Sequence, residues 1–417
     1  MKTDLEYILD FCTELTRRML ASGANLERVT LAIQYITEAY GLEELSLFLL
    51  TTHISISARD SSGNEVVRQA DIPEAGIHLD RLTKLNRLCF KVSRTTPDPA
   101  ELSLLLEEAD RPLVRPDWVI LLGQLAALSC LCFIFGGSFA ELLPVLLVVA
   151  LVHYMLRFAD WSGVENIITN FIVMFAGAVV LMLASKLNIA KNGAAMMITL
   201  IMLLLPGIPL VNSIRNLLSG NEMNGILQFL KVTVETFAMG AGIYVAVKLF
   251  GGFRDMGDVF VTPLSNPGLL VLLTFFSAVG FGVVFNIPFK DLWKAGIGGM
   301  MARIVLIAMQ QVTDSRFIYI FIAALAASLY AEGLATKEEV PSTYYVYPAI
   351  IPLIPGDQFY YTIVSVYTKD LDMFLLCGFN TLVALVAMGV GFVTGWLIAR
   401  RSREYRHKKR AKQLASE

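Results

Sequence analysis

The stretch LLLPGIPLVNSIRNLLSG, residues 203–220, ends one of the most apolar segments of the chain and interrupts it. The residues that break the helix are Pro206, Gly207 and Pro209. The polar side chains that follow them are Asn212, Ser213 and Arg215. Backbone groups freed by such a break are tolerated in lipid only where they face protein or a water-filled cavity. The stretch therefore predicts a membrane helix broken beside a polar route; a plain proline kink at the end of a span is the alternative.

The composition indicates a membrane protein. Of 417 residues, 55% are hydrophobic and only 17% are charged, whereas soluble domains carry about 25% charged residues. Residues 1–117 read as soluble protein, with 13 Lys and Arg against 19 Asp and Glu, and residues 118–399 form a series of apolar runs. The first part has a net charge of −6 and no basic patch. Nucleic-acid binding is therefore not expected.

Residues 1–117 predict a small α+β domain. Helical spacing over residues 4–21 and 26–40 is followed by three short strand segments, LSLFLL, HISISA and EVVRQA, and by two closing helical segments. No apolar signal segment opens the chain, so we expect this domain in the cytoplasm. Because it has no phosphate-binding loop, H-E-x-x-H motif or nucleophile elbow, we expect neither a metal nor another cofactor.

One histidine of this domain raises the alternative of an enzyme. His53 lies between two apolar runs, and a hydrolytic role would place Ser22 or Ser55 beside it. A histidine at a strand edge is the simpler interpretation. We therefore expect a protein that is not an enzyme, and a membrane-anchored sensor or hydrolase stays as an alternative to transport.

Ten segments are apolar enough to span a membrane, which takes about 20 residues. They are 118–136, 139–158, 167–186, 193–212, 226–249, 268–287, 290–310, 316–333, 344–364 and 371–399. An even number of spans places both ends of the chain on one side. Eight Lys and Arg residues follow residue 399, so the positive-inside rule predicts that the tail, 400–417, and the N-terminal domain are both cytoplasmic.

The two halves of the membrane part resemble each other. A shift of 149 residues places the PG pair at 206–207 on the PG pair at 355–356, and MGAG at 239–242 on MGVG at 388–391. A shift of 150 residues places Glu141 on Asp291. We refer to either displacement as the repeat shift. These matches predict an internal duplication, because two separate motifs coincide at one shift.

The duplication divides the membrane part into two units of five predicted spans. The units are 118–250 and 268–399, with a linker at 251–267. Because five is odd, the second unit would enter the membrane in the opposite orientation to the first. Such inverted repeats are typical of secondary transporters, in which the substrate site lies at the repeat interface near the bilayer midplane.

Ionisable side chains inside the predicted spans indicate the route of a solute, because a charge at the bilayer centre costs at least about 2.5–3.5 kcal/mol. His153 and Arg303 coincide after the repeat shift. Arg303 would hold a carboxylate through two hydrogen bonds. Alternatively, Arg303 snorkels to the interface or pairs with Asp291 or Asp314.

Other polar positions leave two interpretations open. Glu235 lies one helical turn after Lys231, as in a structural ion pair, or it is a proton-coupling carboxylate whose burial raises its pKa. Asn170 and Asn380 are more typical of links between helices than of ligands, although Asn380 is kept as a candidate.

The second break, IIPLIPGDQFYYTI at residues 350–363, is the counterpart of the first. Helix ends at two such breaks would bind the charged ends of a small zwitterion or dicarboxylate. The candidate site residues that this break adds are Pro355, Gly356, Asp357 and Gln358.

Three segments resemble the threonine/serine exporter family in its fused form. They are MLASGANLERVTLAIQYITEAYGL from Met19, LLLPGIPLVNSIRNLLSGNEMNGI from Leu203, and the second break. The matching positions are Gly23, Ala24, Arg28 and Val29 in the soluble domain, Pro206, Gly207, Asn212 and Arg215 in the first repeat, and Pro355 and Gly356 in the second. Thr30 departs from the acidic residue expected after Arg-Val, so the role of the soluble motif does not carry over.

The resemblance implies export of threonine- or serine-type amino acids, or in some members of a dicarboxylate such as succinate. The driving force would be the proton gradient or the membrane potential, so the expected partners are the solute, protons and the lipid bilayer of the cell membrane. A channel-like facilitator of the same fold and a homo-oligomeric assembly both stay open.

Overall fold

The chain divides into two units. The computed structural model describes residues 3–60, 62–73, 76–111, 113–251, 264–338 and 340–414, with side chains as far as Ser402. One unit comprises residues 1–115, 285–289 and 334–344, and the other comprises residues 116–284, 290–333 and 345–417. Most of the predicted linker, 251–267, lies outside the described residues.

The first unit begins with two helices, a sheet and two more helices, in the predicted order. Its elements are α1 (Asp4–Ala21), α2 (Leu26–Ala39), β1 (Glu43–Leu49), β2 (His53–Arg59), β3 (Glu65–Asp71), α3 (Leu79–Thr95) and α4 (Leu102–Ala109). The three strands pair antiparallel in the order β1-β2-β3. Asn25 caps α2 by accepting from the Arg28 N–H, as a good N-cap residue does. The predicted small N-terminal sheet is confirmed.

Apolar alternation and a charge cluster hold this unit together. Ile54, Ile56 and Ala58 alternate along β2 and are buried, because α1 covers one face of the sheet. Asp110, just after α4, accepts from Arg18 of α1 and from Arg81 of α3, both at 2.7 Å. Asp110 therefore ties three helices of the unit together.

The second unit is almost entirely helical. Its helices are α5 (Asp117–Ile134), α6 (Phe139–Ser162), α7 (Asn166–Lys186), α8 (Gly193–Leu204), α9 (Gly207–Leu218), α10 (Glu222–Phe250), α11 (Pro267–Val284), α12 (Leu292–Gln310), α13 (Arg316–Glu338), α14 (Thr343–Ile350), α15 (Gly356–Thr368) and α16 (Leu371–Leu414). The last residues of α13, from Leu334, and the first two of α14 are assigned to the first unit. Short 3-10 turns precede α12 at Phe289–Asp291 and follow α14 at Ile351–Leu353.

Within the described ranges, eight helices are long and apolar enough to cross a membrane. They are α5, α6, α7, α10, α11, α12, α13 and α16. Helices α8 and α9 pass the same test together and bend by 57°, which makes a ninth candidate. A multi-pass helical membrane protein is thus confirmed, whereas the predicted number of ten spans is not, since the described residues give eight, or nine with the bent pair.

Two predicted spans differ from the helices observed. The segment predicted at 344–364 is divided between α14, a 3-10 turn and α15, because Pro348, Pro352 and Pro355 remove helix donors at short intervals. The last span was predicted to end at residue 399, but α16 continues as far as Leu414. The basic tail is therefore helical over most of its length.

Corresponding helices begin at positions that the repeat shift relates. The first residues of α5 and α11 coincide after this shift, as do those of α7 and α13. The same holds for the first residues of α9 and α15, and for those of α10 and α16. Each half thus contains three long helices, then a broken pair, and then its longest helix.

Candidate functional site

Both broken helices turn in the same way at a proline. Pro206 has φ −75° and ψ 55°, and Pro355 has φ −77° and ψ 64°. These angles define an inverse γ-turn, a three-residue turn closed by one hydrogen bond. Pro209 falls in the first turn of α9. The N–H groups of a first turn have no acceptor within the helix, so a proline there removes no helical hydrogen bond. The predicted break is therefore a specific turn with a short helix on either side.

One hydrogen bond closes each turn. The Gly207 N–H donates to the Leu205 carbonyl at 2.7 Å, and the Gly356 N–H donates to the Ile354 carbonyl at 2.8 Å. In a continuous helix each of these N–H groups would instead reach the carbonyl four residues earlier. The turns therefore release the Leu203 carbonyl in the first half and the Pro352 carbonyl in the second from these helical donors.

The first residue after each break packs against the other break. A Cβ atom added to Gly207 would collide with Ile354, and one added to Gly356 would collide with Met202. Glycine is the residue that permits so close an approach. The N-terminal ends of α9 and α15 therefore meet at one place in the unit.

The same exchange of partners is found further along these helices. A Cβ added to Gly240 of α10 would lie 3.5 Å from Ile363 of α15, and one added to Gly389 of α16 would lie 2.7 Å from Ile214 of α9. The repeat shift relates the two glycines to each other, and it relates the two isoleucines in the same way. Each short helix therefore packs against the longest helix of the other half.

The polar residues after the first break have different partners. Asn212 donates from Nδ2 to the hydroxyl of Tyr347 on α14 at 2.9 Å. Arg215 is half-buried and close enough to Tyr347 to act on it electrostatically. Ser213 is buried, and its hydroxyl donates to the Leu210 carbonyl of its own helix at 2.6 Å. The structure thus brings Asn212 and Arg215 to the second half, whereas Ser213 is turned into α9.

The polar residues after the second break form a short chain of contacts. Gln358 donates from Nε2 to Asp357 Oδ2 at 3.0 Å. Asn380 of α16 donates from Nδ2 to Gln358 Oε1 at 3.4 Å. Asn380 of α16 therefore links that helix to α15.

Arg303 contacts the second break directly. Its Nη2 donates to the Pro352 carbonyl at 2.6 Å, and its Nε donates to Thr274 Oγ1 at 3.2 Å. Pro352 supplies the carbonyl that the Gly356 turn releases. Over the described residues Arg303 pairs with neither Asp291 nor Asp314; Asp291 contacts Lys294 at 2.7 Å instead.

His153 occupies the matching position in the first half. It is only 4% exposed, and its Nδ1 lies 2.9 Å from Gln124 Oε1 on α5. An Nδ1–H that donates to this amide oxygen leaves Nε2 as the acceptor of a neutral ring. In the part of the chain that the structure describes, Nε2 is buried and has no hydrogen-bond partner.

Glu235 faces Lys231 across one turn of α10. Their Oε1 and Nζ atoms are 4.0 Å apart. The Glu235 side chain is 12% exposed and that of Lys231 is 55% exposed. The structure thus contains the ion pair that was one of the two interpretations of Glu235.

The four positions of the soluble-domain motif build the corner between α1 and α2. Gly23 has a left-handed φ of +88°, and the Ala24 N–H donates to the Met19 carbonyl at 3.0 Å to close α1. Val29 is fully buried in the core of the unit. Arg28 donates from Nη1 to Asn86 Oδ1 on α3 at 3.1 Å.

The histidine of the soluble domain has an acidic neighbour that the sequence spacing did not reveal. His53 Nδ1 lies 2.8 Å from Asp71 Oδ1, because the two residues are register partners in β2 and β3. Ser22 Oγ donates to the Arg18 carbonyl at 2.7 Å. His53 and Ser22 therefore each use another partner, and they do not form a nucleophile–base pair.

Sequence reasoning missed several partners of the site. Tyr347 and Thr274 gave no signal of their own. Gln124 had one that was not used, because the repeat shift places it on Thr274. Glu141 was noted only for the repeat, but it is buried and accepts from the Lys191 and Asn192 N–H groups at 2.8 and 2.9 Å. It thereby joins the start of α6 to the loop before α8.

Taken with the apolar spans, the paired breaks define a multi-pass membrane protein of the transport class. The chain matches the family model ThrE over residues 10–250 and the model described as "Threonine/Serine exporter, ThrE" over residues 270–398. It belongs to the threonine/serine exporter family, and the resemblance drawn from the sequence is confirmed.

Three curated relatives are similar to the chain at low identity. A "Probable threonine/serine exporter" of Mycobacterium tuberculosis is 22% identical over 94% of this chain and 76% of its own length. A "Threonine/serine exporter" of Corynebacterium glutamicum is 20% identical over 95% of this chain and 83% of its own length. The "Probable succinate transporter subunit YjjP" of Klebsiella aerogenes is 19% identical over 60% of this chain and 96% of its own length. No solved structure matches the chain significantly.

Proposed function

We propose that the protein is a secondary active exporter of threonine- or serine-type amino acids, driven by the proton gradient or the membrane potential. The observation that carries the proposal is the meeting of two proline turns of the same type, where Gly207 packs against Ile354 and Gly356 against Met202. Secondary transporters bind solutes at discontinuous helices near the bilayer midplane. Family membership supports the same solute class.

The architecture that goes with this proposal is an inverted repeat of ten spans. Each broken pair, α8 with α9 and α14 with α15, counts as one span. The offsets of 149 or 150 residues between four pairs of helix starts and the exchanged glycine–isoleucine contacts support a two-fold relation between residues 118–250 and 268–399. Both termini, including the domain at 1–117 and the tail at 400–417, are then cytoplasmic in the cell membrane.

The chemistry of the breaks suits a small zwitterion. Helix N-termini carry partial positive charge, so the starts of α9 and α15 attract a carboxylate. Released carbonyls and the Asp357 carboxylate attract an ammonium group. Asn212 and Tyr347, already bonded to each other, supply polar groups for a hydroxyl. In this proposal Arg303 orients the second break through Pro352, and Arg215 marks the cytoplasmic end of the route.

A small dicarboxylate such as succinate is the second candidate. Arg215 and Arg303 would supply two guanidinium groups for two carboxylates. The similarity to the protein named as a succinate transporter subunit favours this solute over other anions.

A ligand-sensing role of the N-terminal unit is the candidate from a different class. A cleft of about 610 Å³ lies between α3 and α4. Its cationic lining residues are Lys84, Arg87, Lys91 and Arg94. A sensor of an anion would use this cleft, because four cations gather there in a segment whose net charge is negative.

Transport by purified protein in liposomes tests these proposals together. Liposomes are loaded in parallel with labelled threonine, serine and succinate, and efflux is followed with an imposed pH gradient, with an imposed potential, and with neither. We expect threonine or serine to leave faster when a gradient is present. Efflux that ignores both gradients would identify a channel, and efflux of succinate alone would establish the second candidate. If no solute leaves, the transport proposal fails.

A further inference from the structure

Each half of the membrane unit contains a pair of contacting polar residues at equivalent positions, but the residue types differ between the halves. In the first half, His153 of α6 contacts Gln124 of α5 at 2.9 Å. In the second half, Arg303 of α12 donates to Thr274 of α11 at 3.2 Å. The repeat shift relates both members of one pair to both members of the other. The pairs are therefore equivalent positions of the repeat, occupied by different side chains.

The two halves differ in the second hydrogen bond that the His153 or Arg303 side chain makes. Arg303 uses its Nη2 to bind the Pro352 carbonyl, which the Gly356 turn has released. The Gly207 turn releases the Leu203 carbonyl, and the repeat shift relates Leu203 to Pro352. Helix α6 packs against the helix that carries Leu203, as α12 packs against the turn that carries Pro352.

The first half lacks the bond that Arg303 makes in the second. His153 Nε2 is buried and has no partner among the described residues, although the ring as a whole is 4% exposed. A buried polar atom without a partner is destabilising, because no hydrogen bond offsets the loss of its contact with water. Such an atom in a membrane helix is expected where a proton or a solute group binds for part of a cycle.

We propose that His153 is the proton carrier of the first half, and that Arg303 is its permanently charged counterpart in the second. This inference rests on the proposed function of the breaks as a transport site. The neutral ring accepts a proton on the Nε2 lone pair from water on one side of the membrane and becomes an imidazolium. It returns that proton to water on the other side. Throughout, Nδ1–H keeps its bond to Gln124, so the ring is held in place.

The charged groups nearest to His153 are paired with each other, and Asp160, two turns further along α6, is exposed. On α5 and α6 the nearest charges are Asp117 and Arg157, which form an ion pair with each other. Tyr154 packs its ring against the histidine. Lys186 at the end of α7 donates to the Phe250 carbonyl.

The helices packed against α6 contain few other titratable residues near His153. Helix α8 has no titratable residue, and on α5 the remaining ones are Cys130 and Cys132, about two turns beyond Gln124. Glu141 lies at the start of α6, three turns before His153, and is bonded to backbone N–H groups. In these elements His153 is therefore the group near the middle of a span that changes charge close to neutral pH.

Two variants distinguish a proton-carrying role of His153 from a structural role. His153→Gln keeps an amide that can bond Gln124 but takes up no proton. His153→Arg with Gln124→Thr copies the pair found in the second half, which is compatible with this fold. The control is Ser129→Ala, because among the described residues Ser129 on α5 bonds only within its own helix, to the Leu125 carbonyl at 2.6 Å.

The measurement compares two fluxes in liposomes for the solute that the unsubstituted protein carries, chosen from labelled threonine, serine and succinate. One flux is exchange of labelled for unlabelled solute without any gradient, and the other is net flux driven by a pH gradient. We expect both His153 variants to lose the pH-driven component, by about tenfold or more, while exchange remains measurable. The Ser129→Ala protein should keep both fluxes.

Two outcomes would overturn the inference. Either variant could retain its response to the pH gradient, which would place the proton elsewhere, with Glu235 as the first alternative. Both variants could lose exchange together with pH-driven flux, which would make His153 a residue of solute binding or folding. Neither outcome resembles failure of the transport proposal, in which the unsubstituted protein itself carries no solute.

Discussion

Gly207 at the start of α9 packs directly against Ile354, the residue that precedes the proline of the other break. Gly356 packs in turn against Met202 in the last turn of α8, four residues before the proline of the first break. Because interiors are close-packed, neither turn can move far without moving the other. A solute held between the two breaks would therefore act on both halves of the membrane unit.

The first prediction concerns the space at this contact. Gly207→Ala places a Cβ against Ile354, and such overpacking costs about 1–3 kcal/mol. We expect a lower unfolding temperature and slower transport, with a larger loss for Gly207→Val. Shortening the neighbour in Gly207→Ala/Ile354→Val should restore part of both. A matched control is Gly333→Ala in α13, because a Cβ there meets no atom within 4 Å. If Gly207→Ala and Gly333→Ala behave alike, the close contact has no role.

The second prediction concerns Arg303. Its guanidinium group donates to both the Pro352 carbonyl and Thr274 Oγ1. The single ammonium group of a lysine does not reproduce this geometry. We expect Arg303→Lys to fold but to weaken solute binding by about tenfold, the equivalent of roughly 1.4 kcal/mol. Saturation of exchange flux against solute concentration measures this change. Unaltered affinity in Arg303→Lys would show that charge alone at this position suffices.

Much of the fold could be predicted because its signals are local. The helix-breaking prolines, the helical spacing at 4–21 and the strand segment HISISA act through neighbouring residues, and the structure shows each of them. By apolarity alone the segment at 344–364 was predicted as one continuous helix, and it is instead a broken one, because total apolarity ignores where donors are missing. Pro348, Pro352 and Pro355 together end helices there.

The site was predicted in part, for a similar reason. The breaks themselves follow from residue types, so Pro206 and Pro355 could be found from the sequence. Their partners depend on how distant helices pack, and nothing local marks Tyr347 as the residue that Asn212 contacts. Internal repetition was the one long-range signal available. It paired His153 with Arg303, and used further it would have paired Gln124 with Thr274.

The third prediction concerns the pH dependence of the N-terminal unit. Burial alone would raise the pKa of Asp110, but the hydrogen bonds and charges of Arg81 and Arg18 outweigh burial and hold that pKa below its usual value of 3.8. A depressed pKa stabilises the folded state at neutral pH, and the contribution is lost as pH falls below about 3.9, the unfolded value, towards the lower folded value.

Asp110→Asn should remove that contribution. Two arginines are left without their shared carboxylate, so we expect a loss of about 2–4 kcal/mol at neutral pH and a smaller difference from the unsubstituted protein in acid. Hydrogen exchange of the α1 and α4 amides across a pH series measures both effects in the full chain. Glu101→Gln is a control, since Glu101 lies on the exposed surface of the same unit. Equal destabilisation at every pH would contradict the ionic account.

The fourth prediction concerns topology. Ser219 directly follows α9 and Thr368 ends α15, and the repeat shift relates the two residues. If the halves are inverted and the termini are cytoplasmic, Ser219 faces the cytoplasm and Thr368 faces the opposite side. In a protein without its five native cysteines, Thr368→Cys should therefore react with an impermeant maleimide added outside cells. Ser219→Cys should react only after the membrane is opened, as should the tail marker Ser402→Cys. Labelling of Ser219 and Thr368 from one side would exclude inverted repeats, whatever the number of spans.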